Sequence, residues 1–354
     1  MNIAVRTLVV SIVTALALGA CGSAPSAQLP VSDADAPAGA SPSATTVASI
    51  TAATTAPAPA SAEVATPAAT RVALVPATHT VVDSLGRSVV LPETPRRIVS
   101  LAPSVTEILF AVGAGPQVVG DTRFCNYPSE AKALPKIGGY TAKTINVEAV
   151  VDLTPDLVIA GTASQKPVVE ALEKLNIPVL VLAPDSFEAV YTGIKQIGAV
   201  TNHVQEAEAV VVQMRKRVDA VTAKVATVPA DRRPSVFWEV FDAPLTTAGP
   251  NTFIGQMIQL AGATNIFGDA REDYPQVSAE LVVERNPDII LGSTTQSATL
   301  TPDLVAQRPG WAKITALRNR RVYLLDSDMT SRAGPRLVDA LEALAKALYP
   351  ELFA

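Results

Sequence analysis

The sequence predicts an α/β protein built as two lobes joined by a single long, rigid helix, with a ligand cleft between the lobes. Two observations carry this expectation. An internal repeat aligns INVEAVVDLTPDLVIAG (Ile145 to Gly161) with VSAELVVERNPDIILGS (Val277 to Ser293) without a gap. Between the copies lies HVQEAEAVVVQMRKRVDAVTAKVA (His203 to Ala226), with helical spacing, strong helix formers and no internal glycine or proline.

Each copy sets out its elements in the same order. Asn146 or Ser278 supplies a helix N-cap, and Glu148 or Glu280 follows two residues later. A short apolar-periodic helix then runs to Pro155-Asp156 or Pro287-Asp288, where proline ends it. A buried-type strand, LVIA or IILG, comes next. The likeness extends outward: LFAVGAGPQVVG resembles MIQLAGATNIFG, and NIPVLVLAPDS resembles NRRVYLLDSD. Each half therefore reads strand, helix, strand, helix, strand, helix, which is an α/β lobe with a mostly parallel sheet. The expected divisions are an N-terminal lobe over 79–200, an inter-lobe helix over 201–228 and a C-terminal lobe over 229–354. On the helix, Arg215, Lys216 and Arg217 read as a solvated face. A continuous helix between lobes limits hinge motion, so closure on a ligand should be slight.

Residues 1–20 read as a lipoprotein signal peptide. Arg6 is the positive region, and the uncharged apolar run Thr7 to Ala20 is too short to span a bilayer comfortably. Leu18 to Cys21, LGAC, resembles a bacterial lipobox, which implies cleavage before Cys21 and a diacylglycerol on its sulfur. The competing reading is an ordinary secretory signal with a chance cysteine. Residues 21–78 are rich in Ala, Pro, Ser and Thr, without aromatics. Such a composition cannot offset its own ordering entropy and reads as a disordered, lipid-anchored tether. The other cysteine, Cys125, then has no partner within the chain, which excludes a disulfide framework and leaves a buried free thiol. A formal net charge of −5 argues against a nucleic-acid partner, which needs a basic surface.

In open α/β sheets, ligands bind beyond the carboxyl ends of the strands, so the strand-end loops are the candidate site. In the first lobe RIVSL leads to Ala102-Pro103-Ser104, where Ser104 and Glu107 read as a capping box. The next loops are DTRFCNYP, with Arg123, Phe124 and Tyr127, and GGYTAKT, with Tyr140. The second lobe offers Trp238 and Phe241, then Tyr274 in EDYPQ, then Asp328 and Arg332 in YLLDSDMTSRAGPR. Tyr140 and Tyr274 stand in polar loops with glycine or proline, which favours ligand contact. Trp238 and Phe241 lie in a strand-like run, where core packing and ligand contact are equally open. The first-lobe counterpart of the last segment has Asp185 but no arginine after it, so this junction does not need Arg332 to fold. The two histidines, His79 and His203, sit at the expected domain start and on the linking helix. No His/Cys/carboxylate cluster has metal-ligand spacing, and there is no G-x-S-x-G, P-loop or G-x-G-x-x-G. Neither a metal site, a cofactor nor an enzymatic activity is expected.

Several of these segments together carry a family. RIVSLAPSVTEILFAVGAG, NYPSEAKALPKIGGY, NVEAVVDLTPDLVIA, PQVSAELVVERNPDIIL and SRAGPRLVDALEALAKAL resemble the substrate-binding proteins of ABC importers for iron-siderophores, haem and cobalamin, closest to the cobalamin-binding subgroup. The resemblance covers His79 to the C-terminus. It implies two Rossmann-like α/β lobes bridged by one rigid helix, no catalysis, and an extracytoplasmic monomer on a lipid anchor. It also implies delivery of a bulky metal chelate to a membrane permease and its ATPase. The family's permease-docking glutamates match Glu148 and Glu280; read from the residues alone, each is a first-turn acid that favours the helix dipole. The cobalamin pattern places aromatics at Phe124, Tyr140 and Tyr274, and an acid and an arginine at Asp328 and Arg332. Here tyrosine stands where tryptophan is usual at 140 and 274, and no aromatic follows LVIA, so the cleft is expected to be less hydrophobic. A corrinoid such as cobalamin is the expected ligand; a ferric siderophore or haem on the same scaffold is the alternative. A surface enzyme or a structural lipoprotein would be a different class altogether.

Overall fold

The computed structural model describes residues 78–92, 94–296 and 300–354. The expected signal peptide, the lipidation site Cys21 and the tether lie outside the described residues. A hairpin of β1 (Thr78–Val82) and β2 (Ser88–Pro92) opens the chain, antiparallel and closed by a turn in which Gly86 takes a left-handed φ of 73°. The buried Asp83 carboxylate accepts from the Arg87 guanidinium and from the backbone N–H groups of Leu85 and Arg87, which fixes that turn.

The first lobe runs β3 (Ile98–Ser100), α1 (Pro103–Ala111), β4 (Val118–Gly120), α2 (Val147–Asp152), β5 (Leu157–Ala160), α3 (Lys166–Glu173), β6 (Val179–Val181) and α4 (Phe187–Thr201). Its four strands are parallel, in the order β4-β3-β5-β6. Helix α5 (Val204–Ala226) leads into the second lobe. There follow β7 (Ser235–Asp242), β8 (Leu245–Thr247), α6 (Phe253–Leu260), β9 (Thr264–Asn265), α7 (Ala279–Arg285) and β10 (Ile289–Ser293). The chain ends with α8 (Pro302–Ala306), α9 (Thr315–Arg318), β11 (Val322–Leu325), α10 (Ser327–Thr330) and α11 (Leu337–Leu348). Here β9, β7, β10 and β11 are neighbours in turn and all parallel, while β8 pairs antiparallel with β7. The repeat in sequence is thus a repeat in topology: β4, β3, β5 and β6 correspond to β9, β7, β10 and β11, and the β7–β8 hairpin is an addition.

The Pro-Asp pairs are structural joints. Asp156 accepts from the N–H groups of Arg96 and Arg97 at 2.8 and 2.9 Å, pinning the head of β5 to that of β3. Asp288 accepts from the N–H and hydroxyl of Ser235 at 2.8 and 2.7 Å, pinning β10 to β7 in the same way. The residue before each proline, Thr154 or Asn286, has a left-handed φ of 44° or 42°. Asparagine tolerates that region, whereas β-branched threonine is strained in it.

Alternation along the strands divides the core. Ile98, Leu157 and Ile159 of the first sheet, and Val236, Trp238, Ile289 and Leu291 of the second, belong to one apolar cluster shared with α5. The intervening residues, Val99, Val158 and Ala160 or Phe237 and Ile290, face a separate outer layer in each lobe. Helix α5 contributes Ala207, Val211, Met214, Val221 and Val225, a single face at helical spacing. Two of its three clustered cations depart from the expected solvated face. Arg215 pairs with Glu188 and stacks on Tyr191 of α4, and Arg217 pairs with Asp339 and Glu342 of α11. These contacts hold the helix to both lobes along its length.

Candidate functional site

The parallel registers place the carboxyl ends of the strands, and the N-termini of the helices that follow, on one side of each sheet, where ligands bind in open α/β sheets. Helix α1 begins there, at Pro103, and its N-cap Ala102 makes no side-chain cap. The expected Ser104–Glu107 capping box is therefore not formed. The helix starts two residues too early for Ser104 to be the cap, and Glu107 is turned inward, 2% exposed.

The loop after β4 is organised from its buried side. The Cys125 thiol lies free between the Thr106 and Thr122 hydroxyls at 3.2 and 3.1 Å, and burial pushes its pKa up. Asp121, fully buried, binds Lys136 through one carboxylate oxygen; the other has no partner, and burial pushes the group up to about 6 despite the lysine. With Cys125 directed inward, its neighbours Phe124 and Asn126 are directed outward. Phe124 meets the ring of Tyr140, and Arg123 lies over its face at 5.1 Å. Tyr140 is carried by a turn that requires glycine: Gly138 has φ 98°, and a Cβ there would lie 2.4 Å from the Thr144 carbonyl oxygen. One residue that sequence reasoning missed, Gln165, fastens three of these loops. Its amide donates to the Leu101 and Tyr140 carbonyls at 2.8 and 2.6 Å and accepts from Gly161 N–H at 2.9 Å. No local signal marked it, since its partners lie far apart in sequence.

On the second lobe, Tyr274 is held by a strand-like stretch beside β8. Gly249 N–H donates to Asp273, Thr247 N–H to Pro275, and Val277 N–H to Leu245. Its ring is half exposed, and partial burial, then the charge of Asp273, raises its phenol pKa. Phe241, at the end of β7, is 62% exposed. Trp238, offered by sequence as a ligand contact or a core residue, is in the core at 2% exposure, because its position on the central strand β7 faces the shared apolar cluster. Burial of that side chain is worth about 3–5 kcal/mol against alanine.

Asp328 and Arg332 meet the Phe124 loop across the lobes. Arg332 Nη1 donates to Glu107 Oε1 at 2.9 Å and Asn126 Oδ1 at 2.7 Å. Its Nη2 donates to the Phe124 carbonyl at 3.2 Å and pairs with Asp328 at 2.6 Å. Asn126 closes the ring by donating to Asp328 Oδ2 at 2.7 Å. Arg336 adds two bonds to Glu107, at 3.0 and 2.7 Å, and lies over the Tyr127 ring. The structure thus gathers Phe124, Tyr140, Asp328 and Arg332, but both Nη groups of Arg332 are already committed within the protein.

Glu148 and Glu280 are exposed and occupy the same position, the second residue of α2 and of α7, capped by Asn146 and Ser278. Neither has an ion-pair partner among the described residues. Among the described residues no cluster of three His, Cys, Asp or Glu has the arrangement of a metal site, and no helix is long and apolar enough to cross a membrane.

Two similar α/β lobes, bridged by one helix and each carrying exposed aromatic side chains, define a two-lobed binding protein. The chain belongs to the periplasmic binding protein family, whose model matches residues 98–329. It is 36% identical over 279 residues to the uncharacterized ABC transporter substrate-binding lipoprotein YvrC of Bacillus subtilis, covering 77% of this chain and 86% of that one. It is 31% identical over 280 residues to a cobalamin-binding protein of Halobacterium salinarum, covering 76% and 74%. Among solved structures it is similar to the periplasmic heme-binding protein RhuT from Roseiflexus sp. RS-1. That match has a TM-score of 0.66 at 29% identity and covers 73% of this chain and 99% of that one.

Proposed function

We propose that this chain is the solute-binding component of an ABC importer and that it captures a corrinoid, cobalamin in the first instance, between its lobes. The observation that carries the reading is the contact between the half-exposed rings of Phe124 and Tyr140 on one lobe, with exposed Phe241 at the end of β7 and half-exposed Tyr274 on the other. Flat aromatic surface with a few polar groups suits a bulky, mostly apolar chelate. The similarity to a cobalamin-binding protein supports this choice. Asp328, still partly exposed, is the polar group that accepts from a ligand amide. The importer's permease and ATPase are the protein partners, with Glu148 and Glu280 as docking points. The protein works as an extracytoplasmic monomer, held to the membrane by a lipid on Cys21.

An anionic ferric siderophore is less well served, because Arg332 has its Nη donors engaged within the protein. Haem is the second reading, favoured by two half-exposed tyrosines, Tyr140 and Tyr274, of the type that ligates haem iron. Calorimetric titration with cyanocobalamin decides the matter. The corrinoid reading predicts saturable heat; no heat, and no affinity better than about 100 μM, roughly 5 kcal/mol, removes it. A Soret shift on adding haemin would then favour the second reading.

A further inference from the structure

Besides α5 and the hydrogen bonds of Gln256 with Asp185 and Phe187, the lobes are connected at the carboxyl edges of the sheets. The centre of this connection is Glu107, a buried carboxylate of lobe one that receives two guanidiniums from lobe two. Both arginines sit in the segment between β11 and α11, and Gly334 between them packs against α1, where a Cβ would lie 3.4 Å from the Ser104 carbonyl oxygen. The charges balance: Glu107 and Asp328 against Arg332 and Arg336. Removing Glu107 leaves two arginines at a closed seam with one carboxylate between them. An uncompensated buried charge is strongly unfavourable, so the seam must open to hydrate it. Arg332 also holds the Phe124 carbonyl and the Asn126 side chain, so the backbone that presents Phe124 depends on the same contact.

We propose that Glu107 is a positioning residue of the binding cleft: through Arg332 and Arg336 it fixes the separation of the lobes and the placement of the Phe124 loop, while touching no ligand itself. The affinity part of this proposal rests on the corrinoid reading; the lobe-separation part does not. Spin labels on Lys174→Cys and Lys313→Cys, both exposed, report the distance between lobes in the full chain with Cys21→Ser; Cys125 is too buried to label readily. Without ligand, the parent should give one narrow distance distribution. Glu107→Ala should give a broader distribution with a longer mean, and Arg332→Gln, which leaves Arg336 on Glu107, an intermediate one. Cyanocobalamin affinity should fall roughly tenfold or more in Glu107→Ala. Parent-like distributions in both variants overturn the proposal. If Glu107→Ala does not fold, Arg332→Gln decides alone, and a parent-like distribution there overturns it. If the parent itself does not bind cyanocobalamin, the corrinoid reading falls while the distances still judge the contact.

Discussion

The ring of Phe124 meets the ring of Tyr140 edge-on, with centroids 5.4 Å apart and planes at 82°. The two come from different loops of the first lobe, and both remain nearly half exposed. They form an exposed aromatic surface. Phe124→Ala or Tyr140→Ala should therefore weaken corrinoid binding by about 1–2 kcal/mol each, through lost apolar contact and lost ring–ring packing. Stability should change little, because neither side chain is in the core. Calorimetry paired with thermal melts checks both halves; a large drop in melting temperature would make these rings structural.

The joints at Asp156 and Asp288 predict a matched pair of stability losses. Each carboxylate ties two strand heads with charge-assisted bonds. Asp156→Ala and Asp288→Ala should each cost about 1.5–3 kcal/mol in denaturant unfolding, without altering ligand affinity. A loss at one site alone would show that the repeat shares its sequence but not its mechanics.

The caps and the Pro-Asp boundaries were legible because their signals are local, whereas the bonds by which Asp156 and Asp288 tie the strand heads, 53 to 60 residues away, were not. Asn146 and Ser278 cap helices a few residues away, and each Pro-Asp pair sits next to the strand it starts, so a gapless alignment of two segments displayed both lobes. The seam was not legible. Glu107 finds its arginines 225 and 229 residues later, and Ser104 supplied a local and wrong account of its presence. Trp238 was left open for a related reason. The run SVFWEVFD is apolar on both faces, so its pattern does not separate a core position from a strand-end ligand contact; pairing with β10 and β8 puts Trp238 within the sheet. Phe124 and Tyr140 were identified as candidates from their loops, whereas their contact depends on Gln165 and the Gly138 turn.

Asp121 predicts a pH dependence with a definite sign. Its folded pKa of about 6 lies above the unfolded value of 3.8, so the folded state binds the proton more tightly. Its contribution is most favourable below pH 3.8, is lost as pH rises toward 6, and is absent above that. The loss is on the order of 3 kcal/mol. At Asp83 burial is outweighed by the Arg87 and backbone hydrogen bonds; its pKa is lowered from 3.8, so its opposite effect falls below this window. Asp121→Asn should flatten the slope of melting temperature between about pH 4 and 6. An unchanged slope would mean that Lys136 keeps the carboxylate charged throughout.

Glu148 and Glu280 separate binding from delivery. Both are exposed first-turn acids at equivalent points of the two lobes, on the side where the sheets' carboxyl ends lie. A helix-dipole role alone would be worth about 0.3–1 kcal/mol of stability each and nothing in transport. As docking points for a permease they predict a different pattern. Glu148→Ala with Glu280→Ala should leave cyanocobalamin affinity within error of the parent, yet abolish most uptake in cells that depend on this importer. Each single substitution should give a partial loss, since one lobe still engages. Charge reversal to lysine should be more severe than alanine, because repulsion replaces a missing attraction. Uptake at the parental level in the double variant, with the protein present in normal amount, would return both glutamates to a helix-dipole role and place the docking surface elsewhere.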